Sequence, residues 1–402
     1  MNNIKSDYLI IGAGIIGLAI AKTLKNIYPN RTITIIEKEN DVAYHSSGRN
    51  SGVLHAGFYY TSNSLKAKFT KDGNRMMHDY CEKNNLKINR SKKVVVATNE
   101  EELKSLYELE KRGLQNGVNV SIINEEELQK IDPNVKTYQK ALYSPDTSTV
   151  DPTEISKHIR DELTAQGVKF YFNECYIKKL DNNSILSNNN QQFTATKIIN
   201  CAGLYADKIA KDFKFSKDYT IIPFKGIYLK YTKTDNPIKV NVYPVPNLKN
   251  PFLGVHYTIT VDGDIKIGPT AIPAFWRENY KGFDKFKFKE LAEILAFESK
   301  LFITNAFNFR SLAYEELKKY NKTHFVSLAT KMVKEIDTKG FNKWSKPGIR
   351  AQLLNTKTLE LLQDFVVEGD NNTIHVLNAV SPAFTSSFPF AEWVVENYIK
   401  DN

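Results

Sequence analysis

Cysteine is scarce in this chain. Its 402 residues include three cysteines, which stand far apart at Cys81, Cys175 and Cys201. Three cysteines at these spacings provide neither a disulfide framework nor a cysteine-rich metal centre. We therefore expect a protein of a reducing compartment without a bound metal.

Long apolar segments are also missing. No stretch reaches the roughly 18 apolar residues of a membrane span, and residues 1–7 lack the basic and apolar regions of a signal peptide. We expect a cytoplasmic protein, with at most a peripheral contact at the inner face of the membrane. The candidate for that contact is Phe286 to Phe302, which mixes basic and apolar residues at near-helical spacing. A helix packed on its own domain is the more usual meaning of such a pattern.

Motifs for nucleic-acid recognition are absent as well. The formal net charge is +10, but the lysines are spread along the chain without an RNA-binding or helix-turn-helix signature. We expect no nucleic-acid partner, and the positive charge favours a small anionic substrate. The sequence does not indicate an oligomeric state.

The pattern of elements predicts an α/β protein. A βαβ unit begins the chain, with a strand at Asp7 to Ile11, a helix at Ile15 to Ile27 and a strand at Thr32 to Ile36. Apolar strands of the same kind return at Lys197 to Asn200 and Ile374 to Leu377. Since 402 residues exceed the usual size of one hydrophobic core, we expect two domains.

Two stretches, residues 91–143 and 219–344, separate these α/β segments. They contain strands in which apolar and polar residues alternate, a pattern typical of an antiparallel sheet. We therefore predict a Rossmann-like nucleotide-binding domain interleaved with an α+β substrate domain built on an antiparallel sheet. The first domain is assigned residues 1–90, 144–218 and 345–402, and the second residues 91–143 and 219–344.

A glycine-rich turn follows the first predicted strand. Gly12, Gly14 and Gly17 stand where a helix begins, so that bare backbone can approach a pyrophosphate at the positive end of the helix. Glu37 comes twenty residues after Gly17, at the end of the second strand, where a carboxylate accepts hydrogen bonds from a ribose diol. Together these features predict a bound dinucleotide.

The segment His45 to Gly57 distinguishes FAD from NAD. It is dense in small and polar residues, which line phosphates and flat rings well and form a poor hydrophobic core. It then becomes apolar at Val53 and Leu54, as expected for a chain that enters the protein beside a buried ligand. A surface loop is the alternative. We predict FAD as the cofactor.

Longer segments resemble a known family. They are Asp7 to Glu37, His45 to Tyr60, Ser64 to Phe69, Ile199 to Asp207, Pro223 to Tyr228, Tyr243 to Thr258, Ile267 to Tyr280, Gly348 to Gln352 and His375 to Ser387. Through these segments the chain resembles the D-amino-acid-oxidase-like FAD-dependent oxidoreductases and, within them, the L-2-hydroxyglutarate dehydrogenase/oxidase family. The resemblance covers nearly the whole chain.

The cofactor site is assigned from three sources: the glycine turn, the segment His45 to Gly57, which is called the polar loop below, and the family resemblance. The predicted FAD-binding residues are Gly12, Gly14, Ile15, Gly17, Glu37, Lys38, Ser46, Ser47, Arg49, Asn50, Ser51, Cys201, Ala202, Gly203, Asp207, Pro382, Ala383, Thr385 and Ser386. The resemblance implies that Asp207 caps the helix after Gly203, and that free N–H groups near Pro382 face the flavin. We expect FAD to be held noncovalently, with His45 as a conceivable covalent anchor.

The implied reaction is the oxidation of a 2-hydroxy acid, which needs a base for the hydroxyl proton and cations for the carboxylates. Histidine is the usual base, and His256 and His55 are the candidates, with His256 preferred. Lys225 and Arg277 are predicted carboxylate clamps because they stand among apolar residues. Tyr243 is a predicted hydroxyl donor, as are Tyr59 and Tyr257, although half-buried sheet tyrosines are common.

Two positions depart from the family pattern. Lys225 replaces an arginine and Trp276 replaces a lysine, so the substrate can differ from 2-hydroxyglutarate in its second group. The leading hypothesis is oxidation of L-2-hydroxyglutarate or a close 2-hydroxy acid, with electrons passed to quinone or oxygen. The alternatives are an amino-acid or amine oxidase, a glycerol-3-phosphate-type dehydrogenase of the same fold, and a noncatalytic flavin-binding protein.

Overall fold

The computed structural model describes residues 3–246 and 252–399. The ends of the two terminal domain segments, and residues 247–251 within the family segment Tyr243 to Thr258, therefore lie outside the described residues.

The described chain alternates strands and helices in an α/β arrangement. The strands are β1 Asn3–Ile11, β2 Ile33–Glu37, β3 Val53–Leu54, β4 Ile88–Asn89, β5 Lys93–Val96, β6 Ser121–Asn124, β7 Lys140–Ser144, β8 Ser148–Val150, β9 Lys169–Phe172, β10 Tyr176–Lys179, β11 Ser184–Ser187, β12 Gln192–Asn200, β13 Tyr219–Gly226, β14 Leu229–Tyr231, β15 Asn241–Pro244, β16 His256–Ile259, β17 Ile265–Gly268, β18 Ile272–Pro273, β19 Phe341–Trp344, β20 Gly348–Asn355, β21 Val366–Gly369 and β22 Thr373–Asn378. The helices are α1 Ile15–Ile27, α2 Leu65–Lys83, α3 Glu100–Gln115, α4 Glu125–Ile131, α5 Pro152–Ala165, α6 Ala206–Asp212, α7 Phe288–Thr304, α8 Phe309–Lys318, α9 Lys322–Thr330 and α10 Ser387–Tyr398.

The first large sheet has a parallel centre. Its strand order is β10-β11-β12-β1-β2-β9, and β22 pairs with β12 beyond the end of β11. The strands β12, β1, β2 and β9 run parallel. Every residue of β2 is buried, as expected for a strand covered on both faces. Helices α1, α5 and α10 cover one face and α6 covers the other.

The carboxyl ends of β1, β2 and β12 meet at one edge of this sheet. The register pairs Ile11 with both Ile36 and Asn200, so the glycine turn after β1 lies between the ends of its two neighbours. A Cβ atom on Gly17 would come within 2.1 Å of the Gly12 carbonyl oxygen. Gly17 therefore allows helix α1 to start tightly against the turn, at the edge where α/β sheets bind ligands.

The second large sheet is mainly antiparallel. Its order is β19-β14-β17-β16-β15-β5-β7-β6, and only the β15–β5 pair among these neighbours is parallel. One face packs on α9 through Phe325 and Ala329, and the other packs on α3 through Leu106 and Leu109. The α3 face also carries Tyr243, which belongs to the functional site described below.

A smaller antiparallel sheet has the strand order β18-β13-β20. Its strands β13 and β20 supply Phe224, Gly226 and Gly348 to Ala351 to the lining of the site. The predicted fold class, α/β with an antiparallel second sheet, is confirmed. Strands of the first sheet fall in the segments assigned to the nucleotide-binding domain. Those of the second sheet fall in the segments assigned to the substrate domain, except for Ser144 at the end of β7. The domain boundaries stay a prediction.

The candidate membrane segment Phe286 to Phe302 largely coincides with α7. This helix buries Glu290, Ile294, Glu298 and Leu301 and exposes Phe288 on its outer side. Among residues 3–246 and 252–399, no helix combines the length and the apolar character of a membrane span.

Candidate active site

A cavity of about 810 Å³ opens at the carboxyl edge of the first sheet. The predicted site residues that line it are Gly12, Gly14, Ile15, Glu37, Lys38, Ser46, Ser47, Arg49, Asn50, Ser51, His55, Cys201, Ala202, Gly203, Tyr243, His256, Pro382, Ala383 and Thr385. The structure thus brings together segments that lie more than 300 residues apart in the chain.

The glycine turn forms a narrow cradle at one end of the cavity. Gly12 adopts a φ of +105°, and a Cβ there would lie 2.6 Å from the carbonyl oxygen of Cys201. The adjacent N-terminus of α1 directs N–H groups without intrahelical partners outward. One of them, the Ile15 N–H, donates to Ser47 Oγ at 2.9 Å. The cradle is therefore closed to side chains and open to a pyrophosphate.

Glu37 stands beside this cradle. One carboxylate oxygen accepts from the Ala13 N–H at 2.8 Å and the other from the Glu39 N–H at 3.0 Å. These two bonds fix the side chain at the cavity wall and leave lone pairs on both oxygens for ribose hydroxyls. The geometry suits the ribose contact predicted from the sequence.

The polar loop uses its side chains to hold its own shape. Ser46 Oγ donates to the Ile349 carbonyl at 2.8 Å, and Asn50 Nδ2 donates to the Ser47 carbonyl at 2.7 Å. The Arg49 guanidinium donates to two backbone carbonyls and lies over the Tyr280 ring. These bonds hold the loop to its own backbone and to the carbonyls of Pro347 and Ile349, so the loop forms a defined wall of the cavity.

An ion-pair network borders the same end of the cavity. Glu39, His45 and Glu278 lie close enough to share a metal ion. The ammonium groups of Lys38 and Lys285, however, each bind both of these carboxylates. His45 is engaged at both ring nitrogens, by Glu39 at 2.9 Å and by the Tyr280 hydroxyl at 2.8 Å. Neither nitrogen is free to anchor a flavin in this arrangement.

The roles predicted for Asp207 and Arg277 are wrong in this structure. Arg277 is fully buried and forms a bidentate ion pair with Asp207, at 2.6 and 2.9 Å. Asp207 also accepts from the Ile221 N–H, and it lies inside the first turn of α6, which begins with Tyr205 as its N-cap. Neither residue lines the cavity, and their charges neutralise each other. The pair therefore links α6 to the segment assigned to the substrate domain, and it does not bind a substrate carboxylate.

Lys225 and Ser386 also lie outside the cavity lining. Phe224 and Gly226 face the cavity, and side chains of a strand alternate between its faces, so Lys225 points to the opposite side of β13. Burial lowers the pKa of Lys225. Ser386 is the N-cap residue of α10 and faces Thr70. Lys225 is therefore not placed to bind a carboxylate in the cavity.

Trp276, Tyr59 and Tyr257 do not line the cavity either. Trp276 packs beside the Phe286 ring and donates through Nε1 to the Asp284 carbonyl at 3.0 Å. Neither departure from the family pattern thus reaches the cavity wall.

His256 is presented to the cavity with a defined tautomer. Its Nδ1 lies 2.8 Å from the Gly254 carbonyl oxygen, which only accepts, so Nδ1 carries the proton and Nε2 keeps its lone pair. Burial lowers the pKa of His256 to about 3, an effect that the bond to Gly254 only partly opposes. The ring stacks on Tyr243 with centroids 3.7 Å apart. A neutral imidazole with an available lone pair can accept a proton, and a negative charge bound beside the ring would raise its low pKa and strengthen it as a base.

His55 lies nearby and is also held neutral. Burial and the positive charges of Lys93 and Arg350 lower its pKa well below the usual value. Its Nδ1 has no hydrogen-bond partner among the described residues. Its backbone N–H donates to Thr385 Oγ1 at 3.1 Å, which ties the segment before α10 to this part of the wall. Thr385 therefore positions His55.

Arg350 is a cavity residue that the sequence analysis did not assign. It lies on β20 opposite Phe224, on the face that lines the cavity. Its guanidinium carbon lies 5.1 Å from the centroid of the Phe252 ring. Arg350 has no ion pair among residues 3–246 and 252–399, and burial lowers its pKa. The available signal was its position as a lone cation within Gly348 to Gln352, a segment quoted only for its resemblance.

The two ends of the cavity thus differ in how their charges are paired. Next to the glycine cradle, Glu278 is paired with Lys38 and Glu37 accepts two backbone N–H groups, whereas Arg350 lies at the other end with His55 and has no ion pair among the described residues. The first end fits the pyrophosphate and ribose of a dinucleotide, and the second fits an anion. The cradle that a Cβ would fill is the structural observation that matches FAD.

Comparisons with known proteins agree with this arrangement. The profile of the DAO family, described as FAD dependent oxidoreductase, matches residues 7–397. The L-2-hydroxyglutarate dehydrogenase of Indibacter alkaliphilus is 36% identical over 97% of this chain and 99% of its own length. The mitochondrial L-2-hydroxyglutarate dehydrogenase of Dictyostelium discoideum is 34% identical over 97% of this chain and 92% of its own.

A solved structure supports the fold. Dithionite-reduced L-alpha-glycerophosphate oxidase from Mycoplasma pneumoniae, with FAD bound, has a TM-score of 0.77 at 22% identity and covers 98% of this chain and 94% of its own. The cofactor prediction of FAD is confirmed by the family match. The chain belongs to the DAO family of FAD-dependent oxidoreductases, among which its relatives of 34 and 36% identity are L-2-hydroxyglutarate dehydrogenases.

Proposed function

We propose that this enzyme oxidises L-2-hydroxyglutarate, or a closely related 2-hydroxy acid, to the 2-oxo acid. When bound, FAD supplies the oxidant for this reaction, because its ring accepts a hydride from the substrate carbon. Names of the relatives support the substrate class. The single observation that carries the proposal is that one cavity is lined by Arg350, which has no ion pair among the described residues, and by a neutral His256, with His55 close enough to interact electrostatically with both.

Each of these residues has a distinct task in the proposal. Arg350 binds a substrate carboxylate through two parallel hydrogen bonds, because its guanidinium has no competing carboxylate among the described residues. His256 Nε2 accepts the proton of the substrate hydroxyl, and the bond from Nδ1 to Gly254 keeps the ring oriented during the transfer. Tyr243 supports the ring by stacking against it.

The cofactor residues act by shape and by backbone contacts. We assign the pyrophosphate to the cradle at Gly12 and Gly14, and the adenosine ribose to Glu37. Cys201, Ala202 and Gly203, together with the polar loop from Ser46 to Ser51, form the remaining walls.

An anaerobic titration tests the proposal. Purified holoenzyme is mixed with L-2-hydroxyglutarate while the flavin absorbance band is followed, and the D-isomer, L-malate, glycerol 3-phosphate and L-amino acids are run alongside. Bleaching by L-2-hydroxyglutarate in preference to the others is the expected result. Bleaching by an amino acid or by glycerol 3-phosphate instead would replace the proposed substrate, and a flavin that no compound reduces would indicate a noncatalytic protein.

We further propose that the enzyme rests on the inner face of the membrane, with the outer face of α7 as the contact. Phe288, Leu295 and Phe302 recur every seven residues along α7 and are all exposed, so they share one outer face. Exposed Lys289 and Lys300 flank this face, and basic residues beside exposed rings favour an anionic bilayer.

Vesicle sedimentation tests this contact. Vesicles that contain phosphatidylglycerol should retain the enzyme more than pure phosphatidylcholine vesicles do, and Phe288→Asp should weaken the retention. The exposed Tyr107 on α3 offers the control variant Tyr107→Asp, which should bind as the wild type does. Equal binding to both kinds of vesicle would contradict the proposal.

A further inference from the structure

A buried lysine without a partner lies behind the basic end of the cavity. Lys93 on β5 is 0% exposed, and its Nζ has no hydrogen-bond partner among residues 3–246 and 252–399. A buried ammonium without a carboxylate is costly, because its hydration is lost without compensation. Such a group is either neutral or charged only when an anion is near.

The sheet register places Lys93 next to the cavity residues Tyr243 and His256. Lys93 pairs with Asn241 in the parallel β5–β15 ladder, and Tyr243 follows two residues later on the same face. The Nζ lies 4.1 Å from the centroid of the Tyr243 ring. His256 stacks on that ring at 3.7 Å. Because both cannot occupy the same side at these distances, Lys93 and His256 lie on opposite faces of Tyr243.

The groups that face Lys93 carry no negative charge. His55 and Tyr59 approach from the segment after β3, Tyr243 from β15 and His256 from β16. Burial raises the pKa of both tyrosine hydroxyls, so they stay protonated, and both histidines stay neutral. Nothing in this set competes with an incoming anion for the Lys93 charge.

We propose that Lys93 is a positioning residue that gains a proton from solvent when an anionic substrate binds, and so supplies the second positive charge that balances a dicarboxylate. It acts through Tyr243 and His256, which separate it from the cavity. This inference rests on the proposed function, since it requires an anionic substrate at that wall. The proton returns to solvent when the 2-oxo acid product leaves.

The pH dependence of binding follows from this linkage. Burial lowers the pKa of Lys93 to about 7 in the free enzyme, and a nearby anion raises it again. Below about pH 7 the lysine is already charged, so affinity for the anion is greatest there. Affinity falls as the pH rises from about 7 toward the higher pKa of the bound state, where it levels off.

Binding of 2-oxoglutarate to the holoenzyme tests the inference. The dissociation constant is measured between pH 6 and 9 from the change in the flavin spectrum, and proton uptake is measured with an indicator dye in weak buffer. For the wild type we expect affinity to weaken on the order of 10-fold across this range, with an uptake of about half a proton per ligand at pH 8.

Three variants separate this role from packing. Lys93→Met keeps the length of the side chain in an apolar setting, and should lose both the pH dependence and the proton uptake. Lys93→Arg keeps a permanent charge, and should retain tight binding at pH 9 without proton uptake. Lys92→Met changes the exposed neighbour and should match the wild type. Thermal unfolding of each holoenzyme checks that it is folded.

The outcomes distinguish this inference from the proposed function. A Lys93→Met enzyme that keeps the wild-type pH profile and proton uptake would refute the role of Lys93, even where L-2-hydroxyglutarate still reduces the wild-type flavin. A wild-type flavin that neither responds to 2-oxoglutarate nor is reduced by L-2-hydroxyglutarate would refute both.

Discussion

The two ends of the cavity are built in different ways. The end at the first sheet is built around backbone, with the Gly12 turn, the N-terminus of α1 and the carboxyl end of β12 in close contact and the Glu37 side chain beside them. The end at the antiparallel strands is made of side chains, with Arg350 and His256 projecting from β20 and β16. Backbone sites depend on the local order of residues, whereas side-chain sites depend on which face of a strand turns inward.

Substitutions at the two ends should therefore have different effects. A side chain added at the backbone end fills the space that a dinucleotide needs, so we expect it to abolish cofactor binding. A change at the side-chain end leaves the cofactor in place and alters the substrate or the proton transfer. Substitutions at the two ends should therefore separate into loss of FAD and loss of turnover.

The largest effect is expected at the backbone end. Gly12→Ala places a Cβ 2.6 Å from the Cys201 carbonyl oxygen at a φ of +105°, so we expect FAD affinity to fall at least about 100-fold. The flavin content of the purified protein measures this. Gly167→Ala is the matched control, because Gly167 has a φ of +83° with no atom within 4 Å of the new Cβ. An equal loss of FAD in both variants would show that backbone strain alone is responsible.

The next effect tests the side-chain end. His256→Asn should lower the rate of flavin reduction by roughly 10² to 10⁴-fold with FAD content unchanged, because the base is removed. Stopped-flow absorbance under anaerobic conditions measures the rate. His55→Asn, measured in parallel, should lose less than about 10-fold, since His55 is assigned no proton transfer. A reversed order would give the role of base to His55.

A third comparison asks which cation binds the carboxylate. Arg350→Met should raise KM for the substrate by about 100-fold, the loss expected for a charged hydrogen-bonded pair. Lys225→Met on the facing strand should change KM less than about threefold, because its side chain points away from the cavity. Steady-state kinetics of both variants decide the matter, and a larger effect at Lys225 would mean that β13 presents its other face to the substrate.

The difference between the backbone end and the side-chain end also determines which site residues could be predicted from the sequence. The glycine turn, Glu37 and the polar loop were predictable because their residue order alone encodes a strand, a tight turn and a helix start. His55 and His256 were predictable from their chemistry and from the family resemblance. These residues line the cavity as expected, and their catalytic roles stay predictions.

The carboxylate clamps could not be assigned in this way. Lys225 and Arg277 were chosen because they stand among apolar residues, and Arg350 satisfies the same criterion. Lys225 differs from Arg350 because its side chain lies on the other face of its strand, away from the cavity. Arg277 differs from Arg350 because it is paired with Asp207, which is distant in sequence. Neither property is local in sequence. The unpartnered Lys93 was missed for the same reason, since the rings around it, Phe58, Tyr59 and Tyr243, come from two segments far from it in sequence.

The smallest effect is expected where the chain departs from the family pattern. Lys225→Arg introduces the residue that the family resemblance implies at this position, yet it changes a side chain on the face of β13 that is turned away from the cavity. We expect the ratio of kcat/KM for L-2-hydroxyglutarate to that for L-malate to stay within about twofold of the wild-type value. Competition between the two acids in one assay measures that ratio directly. A change of tenfold or more in this ratio would show that Lys225, which does not line the cavity, contributes to substrate specificity. Residues outside the lining would then matter at the side-chain end as well.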